Sequence, residues 1–112
     1  MMNTDELIGL IAVWGQEKGI NSIDKQTVKL MEECGELAHE IARSRYDSLE
    51  TKDAIGDIGV VLIILADLLG LDFGECLEEA YNVIKNRTGS IINGSFVREV
   101  PSQDERVGFQ SY

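Results

Sequence analysis

Glu32, Glu33, Glu36 and Glu40 share an arc roughly 100° wide if the chain around them is helical, since each residue turns a helix by about 100°. A second set, Glu50, Asp53 and Asp57, falls at i, i+3 and i+7, and the same line runs on into Val60, Val61 and Ile64. Acids that lead into an apolar line are expected at a helix junction. An unpaired buried carboxylate costs several kcal/mol, so Asp57 calls for a cation, a raised pKa or strong donors. Few bases are at hand: Lys52 points about 100° away from Asp53 in projection, and Lys29 alone adjoins the first stripe. A hard divalent cation is the economical partner. Magnesium prefers oxygen ligands and bridges carboxylates to phosphates, and manganese can take its place.

The elements that must position these acids follow from periodicity and cap chemistry. Leu7, Leu10, Ile11 and Trp14 predict a first helix over about Asp5 to Lys18, with Asn3 and Glu6 as a capping box and Gly19 as its stop. Leu30, Cys34, Leu37 and Ile41 predict a second helix over about Lys25 to Ser44, capped by Asp24, with Glu33 and Glu36 beside the seam. The third runs from about Leu49 to Leu69 behind an Asp47/Glu50 capping box and ends at Gly70. Its second half is apolar nearly all round and is expected to be enclosed on several sides. A fourth spans about Phe73 to Arg87, from an Asp72 cap to Gly89. Beyond it, Ser90 to Val97 around Asn93-Gly94 reads as a small hairpin, and from Val100 the chain reads as a tail. The expectation is an all-α, four-helix bundle with a short C-terminal β-hairpin, residues 1–99 forming the domain and 100–112 the tail.

Charge narrows the partners. Twenty acidic residues against ten basic give −10, which repels nucleic-acid backbones and anionic membrane surfaces, so neither duplex nucleic acid nor membrane is expected. A polyanionic ligand is still admissible when divalent cations stand between it and the carboxylates. Cys34 and Cys76 lie too far apart in sequence for a CxxC pair, and neither a zinc knuckle nor a disulfide framework is indicated. The first residues lack the pattern of a signal peptide, and the longest apolar run, Val60 to Ala66, is too short to span a bilayer. A cytoplasmic location is expected. A helical chain of 112 residues buries only a modest core, which favours a homodimer or homotetramer.

Lys29-Leu-Met-Glu-Glu-Cys-Gly-Glu-Leu-Ala38, followed by Asp53-Ala-Ile-Gly-Asp-Ile-Gly-Val-Val-Leu62, resembles the two signature helices of MazG-like nucleotide pyrophosphohydrolases, within the all-α NTP pyrophosphatase superfamily. Trp14-Gly-Gln-Glu-Lys-Gly-Ile20, Ala80-Tyr-Asn-Val-Ile-Lys-Asn-Arg-Thr-Gly89 and Asn93-Gly-Ser-Phe-Val97 extend the likeness to about Glu99. The resemblance implies ExxE on one helix and ExxD on the next, holding magnesium. It also implies hydrolysis of (deoxy)nucleoside triphosphates between the α and β phosphates, to monophosphate and pyrophosphate. Glu33 and Glu36 match the first motif. In the second, Asp57 takes the aspartate, but Ala54 stands where the family has glutamate. Asp53, one turn before Asp57 on the same face, can supply a ligand there, with Glu50 as an outer candidate. The implied site is therefore Glu33, Glu36 and Asp57 as catalytic residues, joined by Asp53 as a metal ligand, with Glu32 or Glu36 as general base.

For substrate contact, Asn82 and Lys85 resemble family positions that meet the nucleotide. Arg87 and Lys29 are cations suited to phosphate, and Trp14 could stack on a base or fill the core. Met31, Cys34 and Cys76 read as core or core-edge residues. Two other classes compete. The stripes could be solvated faces of a non-catalytic interaction module. Alternatively, Glu36-Leu-Ala-His39 has the ExxH spacing of di-iron bundles, although His39 is the sole histidine and such a site takes two ExxH motifs.

Overall fold

Three polar side chains open the helices. In the computed structural model, which describes residues 1–99, Asn3 accepts from the Asp5 amide at the head of α1 (Thr4–Glu17). Ser22 accepts from the Lys25 amide ahead of α2 (Ile23–Ala42), and Ser48 from the Thr51 amide ahead of α3 (Leu49–Leu68). The caps are thus Ser22 and Ser48, not Asp24 and Asp47. Each serine hydroxyl reaches the third amide beyond it, while Asp24 lies two residues too late and Asp47 one too early. Asp24 instead adds negative charge to the first turn of α2, where the helix dipole favours it.

Helix ends are equally specific. At Gly19 and Gly70 the backbone turns left-handed (φ +76° and +74°), and the next residue bonds to the carbonyl five residues back: Ile20 N to Gly15 O, Leu71 N to Ala66 O. The end of α2 repeats this scheme with Ser44 at φ +58°, Arg45 N bonding to Glu40 O. The short link to α3 is then tied down twice, because Ser48 and Thr51 hydroxyls both donate to the Arg45 carbonyl. This link fixes how α2 and α3 face one another, and so fixes the acids on both.

α2 packs along α3, and α1 packs on the C-terminal half of α3. On α3 the buried residues are Thr51, Ala54, Val61, Ile63, Ile64 and Ala66, each large aliphatic contributing about 1.5–3 kcal/mol of transfer free energy. Gly15 of α1 is buried because Ile64 fills the space beside it: an added Cβ would lie 3.1 Å from Ile64 Cγ1. Gln16 donates to Asp67 at 2.9 Å along the same contact. Among the described residues, no single helix is long and apolar enough to cross a membrane.

On α2 the inward line differs from the expected apolar stripe. Gln26 and Glu33 are buried and Leu30, Leu37 and Glu40 half-buried, at steps of four, three, four and three. Cys34 and Ile41 are exposed, and so is Met31 at 68%, which corrects its expected place in the core. The seam is rotated toward the acids, since only that face lets Leu30 and Leu37 meet α3 while leaving Glu36 at its edge.

The chain divides into a unit of Met1–Cys76 and a second from Leu77 onward, with α4 (Phe73–Ile84) bridging the boundary in sequence. Asp72 Oδ1 caps α4 through the Glu75 amide. The helix ends at Ile84, three residues earlier than expected, so Lys85 and Arg87 are not helical. Gly89 is not its stop but the first residue of β1 (Gly89–Ile92), paired antiparallel with β2 (Ser95–Arg98). A Cβ at Gly89 would collide with the Val97 carbonyl and the Phe96 ring, which explains the glycine. Asn93 and Gly94, at φ +51° and +81°, make the type I′ turn that matches strand twist. The described chain is all-α with a two-stranded hairpin. The tail expected from Val100 lies outside the described residues.

Candidate metal centre

Four consecutive turns of α2 place Gln26, Lys29, Glu33 and Glu36 in one line, and α3 sets Asp57 opposite. Carboxylate oxygens of Glu33, Glu36 and Asp57 lie within 4.8 Å of one another. Glu33 is only 5% exposed; Glu36 and Asp57 stand at the rim of the helix pair and are exposed. The burial expected of Asp57 therefore belongs to Glu33. Asp57 projects past the edge of the α2–α3 seam, where Ala54 and Val61 of its own helix are buried and it is not.

Glu33 Oε1 receives the Lys29 ammonium at 3.1 Å, while Oε2 is buried and has no hydrogen-bond partner. An i, i+4 pair with lysine N-terminal to glutamate is the weaker polarity of that pairing, and a half-exposed ammonium on one oxygen is too little to offset the desolvation of a buried carboxylate. The orphan oxygen, with two further carboxylates beside it, offers an all-oxygen donor set suited to magnesium or manganese.

Electrostatics reports the same crowding. Glu36 is held above the usual carboxylate range, first by the charge of Glu33 and then by the hydrogen bond a protonated Glu36 makes to it. Asp57 is raised first by partial desolvation at the rim, with Glu33 and Asp53 adding repulsion. The Lys29 ammonium is held above its ordinary value, first by its hydrogen bond to Glu33 and then by that charge. The signs give a pH prediction. In the interval between ordinary and raised carboxylate values the folded chain binds more protons than the unfolded one, so stability falls as pH rises through that interval. Lys29 contributes stability that is complete below the ordinary lysine value and lost as pH climbs through its raised one. Metal-free protein should gain melting temperature as pH falls through that interval, and saturating magnesium should reverse that slope because protons then compete with the ion. Thermal melts from neutral pH down to the ordinary carboxylate range, with EDTA and with magnesium, check it; an identical slope in both speaks against ion binding.

Two grooves meet at the cluster. One of about 610 Å³ is lined by Glu32, Glu36, Glu40, Glu50, Asp53 and Asp57, with His39 and Ala54 on its wall. The other, about 520 Å³, holds Glu33 and Asp57 together with Trp14, Lys25, Gln26 and Lys29 over an apolar floor of Ile20, Val60, Val61 and Ile64. Trp14 is 46% exposed and lines this groove rather than filling the core. Asp53 and Glu50 line the acidic groove, outside the closest trio, and Glu32 lies 4.0 Å from the Lys29 ammonium. Glu40 is held by Arg45 at 3.4 Å. Asn82 and Lys85 belong to the second unit, where the Lys85 ammonium donates to Asn82 at 3.2 Å, and Arg87 follows the turn after α4. Lys25 and buried Gln26 were not singled out from sequence. The signal was present, since Gln26, Lys29, Glu33 and Glu36 continue one helical line, but a polar seam is hidden when only apolar residues are used to find it.

The chain is 39% identical over 69 residues to the uncharacterized 18.2 kDa protein in the rep-hol intergenic region of Haemophilus phage HP1. That match covers 59% of this chain and 41% of the phage protein, so the chain spans well under half of its relative's length. No solved structure matches it. The family model of the MazG nucleotide pyrophosphohydrolase domain matches residues 22–91, which include both carboxylate helices, and the chain belongs to that family.

Proposed function

We propose that the protein hydrolyses (deoxy)nucleoside triphosphates to nucleoside monophosphate and pyrophosphate, with magnesium held by Glu33, Glu36 and Asp57 and, one turn back, Asp53 in place of the glutamate missing at Ala54. The observation that carries this is the buried, unpartnered Oε2 of Glu33 facing two more carboxylates. When bound, magnesium supplies charge neutralisation at the phosphates and a lowered pKa for the attacking water. The remaining work falls to side chains. Glu36, or Glu32 at the groove rim, takes the proton from the water whose oxygen bonds to the α-phosphorus, while the α–β bridging oxygen leaves with pyrophosphate.

Trp14 offers a ring face to the base, with Gln26 as a buried amide in the same groove. Lys29, in the same groove, is the group suited to the phosphate chain. Exposed Leu10, Val13 and Trp14 on α1 favour assembly with further copies as a dimer or tetramer. The direct test is phosphate release coupled to inorganic pyrophosphatase, across a panel of ribo- and deoxyribonucleoside triphosphates, with magnesium or EDTA. Release that requires magnesium is expected. No release from any nucleotide would leave a non-catalytic acidic module as the better description.

A further inference from the structure

Lys29 stands where the acid cluster borders the Trp14 groove. Its ammonium lies 3.1 Å from Glu33 Oε1 and 4.0 Å from Glu32 Oε2, its side chain is half exposed, and it lines the groove shared by Trp14, Gln26, Glu33 and Asp57. It satisfies only one of the Glu33 oxygens; the other is buried without a partner. The tether is weak in kind, being a pair of the less favourable polarity whose lysine side chain is half exposed. Of the cations in the first unit, Arg45 is engaged by Glu40, and only Lys25 and Lys29 line the groove.

We propose that Lys29 is a movable counter-ion: it neutralises Glu33 while the cluster lacks a divalent cation, and on metal binding its ammonium leaves Glu33 and turns into the Trp14 groove toward the substrate phosphates. This rests on the metal-dependent reading above. Lys29 is then a positioning residue that competes with the metal for Glu33 in the absence of nucleotide. Loading the site exposes a cation in a protein of net charge −10, so metal and phosphate binding reinforce each other by linkage.

The experiment is manganese binding to the full chain without nucleotide, followed by the electron paramagnetic resonance signal of the free ion, for wild type, Lys29→Met, Lys29→Arg and Lys25→Met. Lys29→Met should bind manganese roughly fivefold tighter or more, since the competitor is gone. Lys29→Arg should bind more weakly than wild type, because a guanidinium can engage both Glu33 oxygens at once. Lys25→Met removes a charge from the same groove without touching Glu33, and should change affinity much less than Lys29→Met. Equal or weaker binding by Lys29→Met, or an equal gain in Lys25→Met, overturns the counter-ion role while leaving the metal site standing. Should Lys29→Met fail to fold, Lys29→Arg decides alone: affinity at or above wild type refutes the proposal. Absence of manganese binding by the wild type removes the metal-dependent reading and this inference together.

Discussion

Glu33→Gln should lower kcat for pyrophosphate release by roughly a thousandfold, the scale on which loss of a charge-stabilising group at a reacting phosphate is felt. The substitution keeps the shape of the side chain but removes its charge and turns one acceptor oxygen into an amide donor. Because Glu33 is buried in the α2–α3 seam with one oxygen unpartnered, that change should leave the metal-free fold intact or slightly more stable. Glu36→Gln and Asp57→Asn should show the same loss of turnover, since their oxygens lie within 4.8 Å of the others. All three variants should keep a helical circular-dichroism spectrum and lack the rise in melting temperature expected of the wild type with magnesium. Glu6→Gln, an exposed acid in the first turn of α1, serves as the charge control and should behave as wild type. A folded Glu33→Gln protein that turns over normally would remove this residue from the chemistry.

The acid stripes, four helices and the hairpin could all be read from residue spacing, because each depends on local chemistry: apolar periodicity, glycine stops, and an Asn-Gly turn. What could not be read was the rotation of α2 about its own axis. Leu30 and Leu37 lie on both the expected and the observed inward lines; the choice between Cys34 and Glu33 as their companion depends on what α3 presents. Beside Glu33 it presents Asp57, Val60 and Val61. The sequence of α2 alone, which does not contain them, favours the cysteine. Once Glu33 is inside, Glu36 and Asp57 fall at the rim, which reverses the burial expected for Asp57. The caps show a similar limit. Ser22 and Asp24, or Asp47 and Ser48, are comparable cap residues by type, and a shift of one or two positions is decided by the loop that precedes them.

The wall of the Trp14 groove gives the second large expected effect. Ile64 is 3% exposed, packs into the space that Gly15 leaves on α1, and forms part of the groove floor beside Glu33 and Asp57. Ile64→Ala should cost about 2–5 kcal/mol, a large share of the total for a domain of this size. The contact makes a sharper prediction through Gly15. Alanine in place of a helical glycine gains about 1 kcal/mol of helix propensity, but in the wild type the new methyl meets Ile64 Cγ1 at 3.1 Å and Cδ1 at 3.2 Å, so packing strain opposes the gain. With Ile64→Ala those atoms are gone, and the same methyl enters the vacated space. Gly15→Ala should therefore be neutral or destabilising in the wild type and clearly stabilising in the Ile64→Ala background, a coupling of about 0.5–3 kcal/mol. Urea unfolding of the four proteins measures it. Equal effects of Gly15→Ala in both backgrounds would mean that α1 does not seat against α3 at this glycine, and Trp14, one residue away, would lose its place beside the carboxylates.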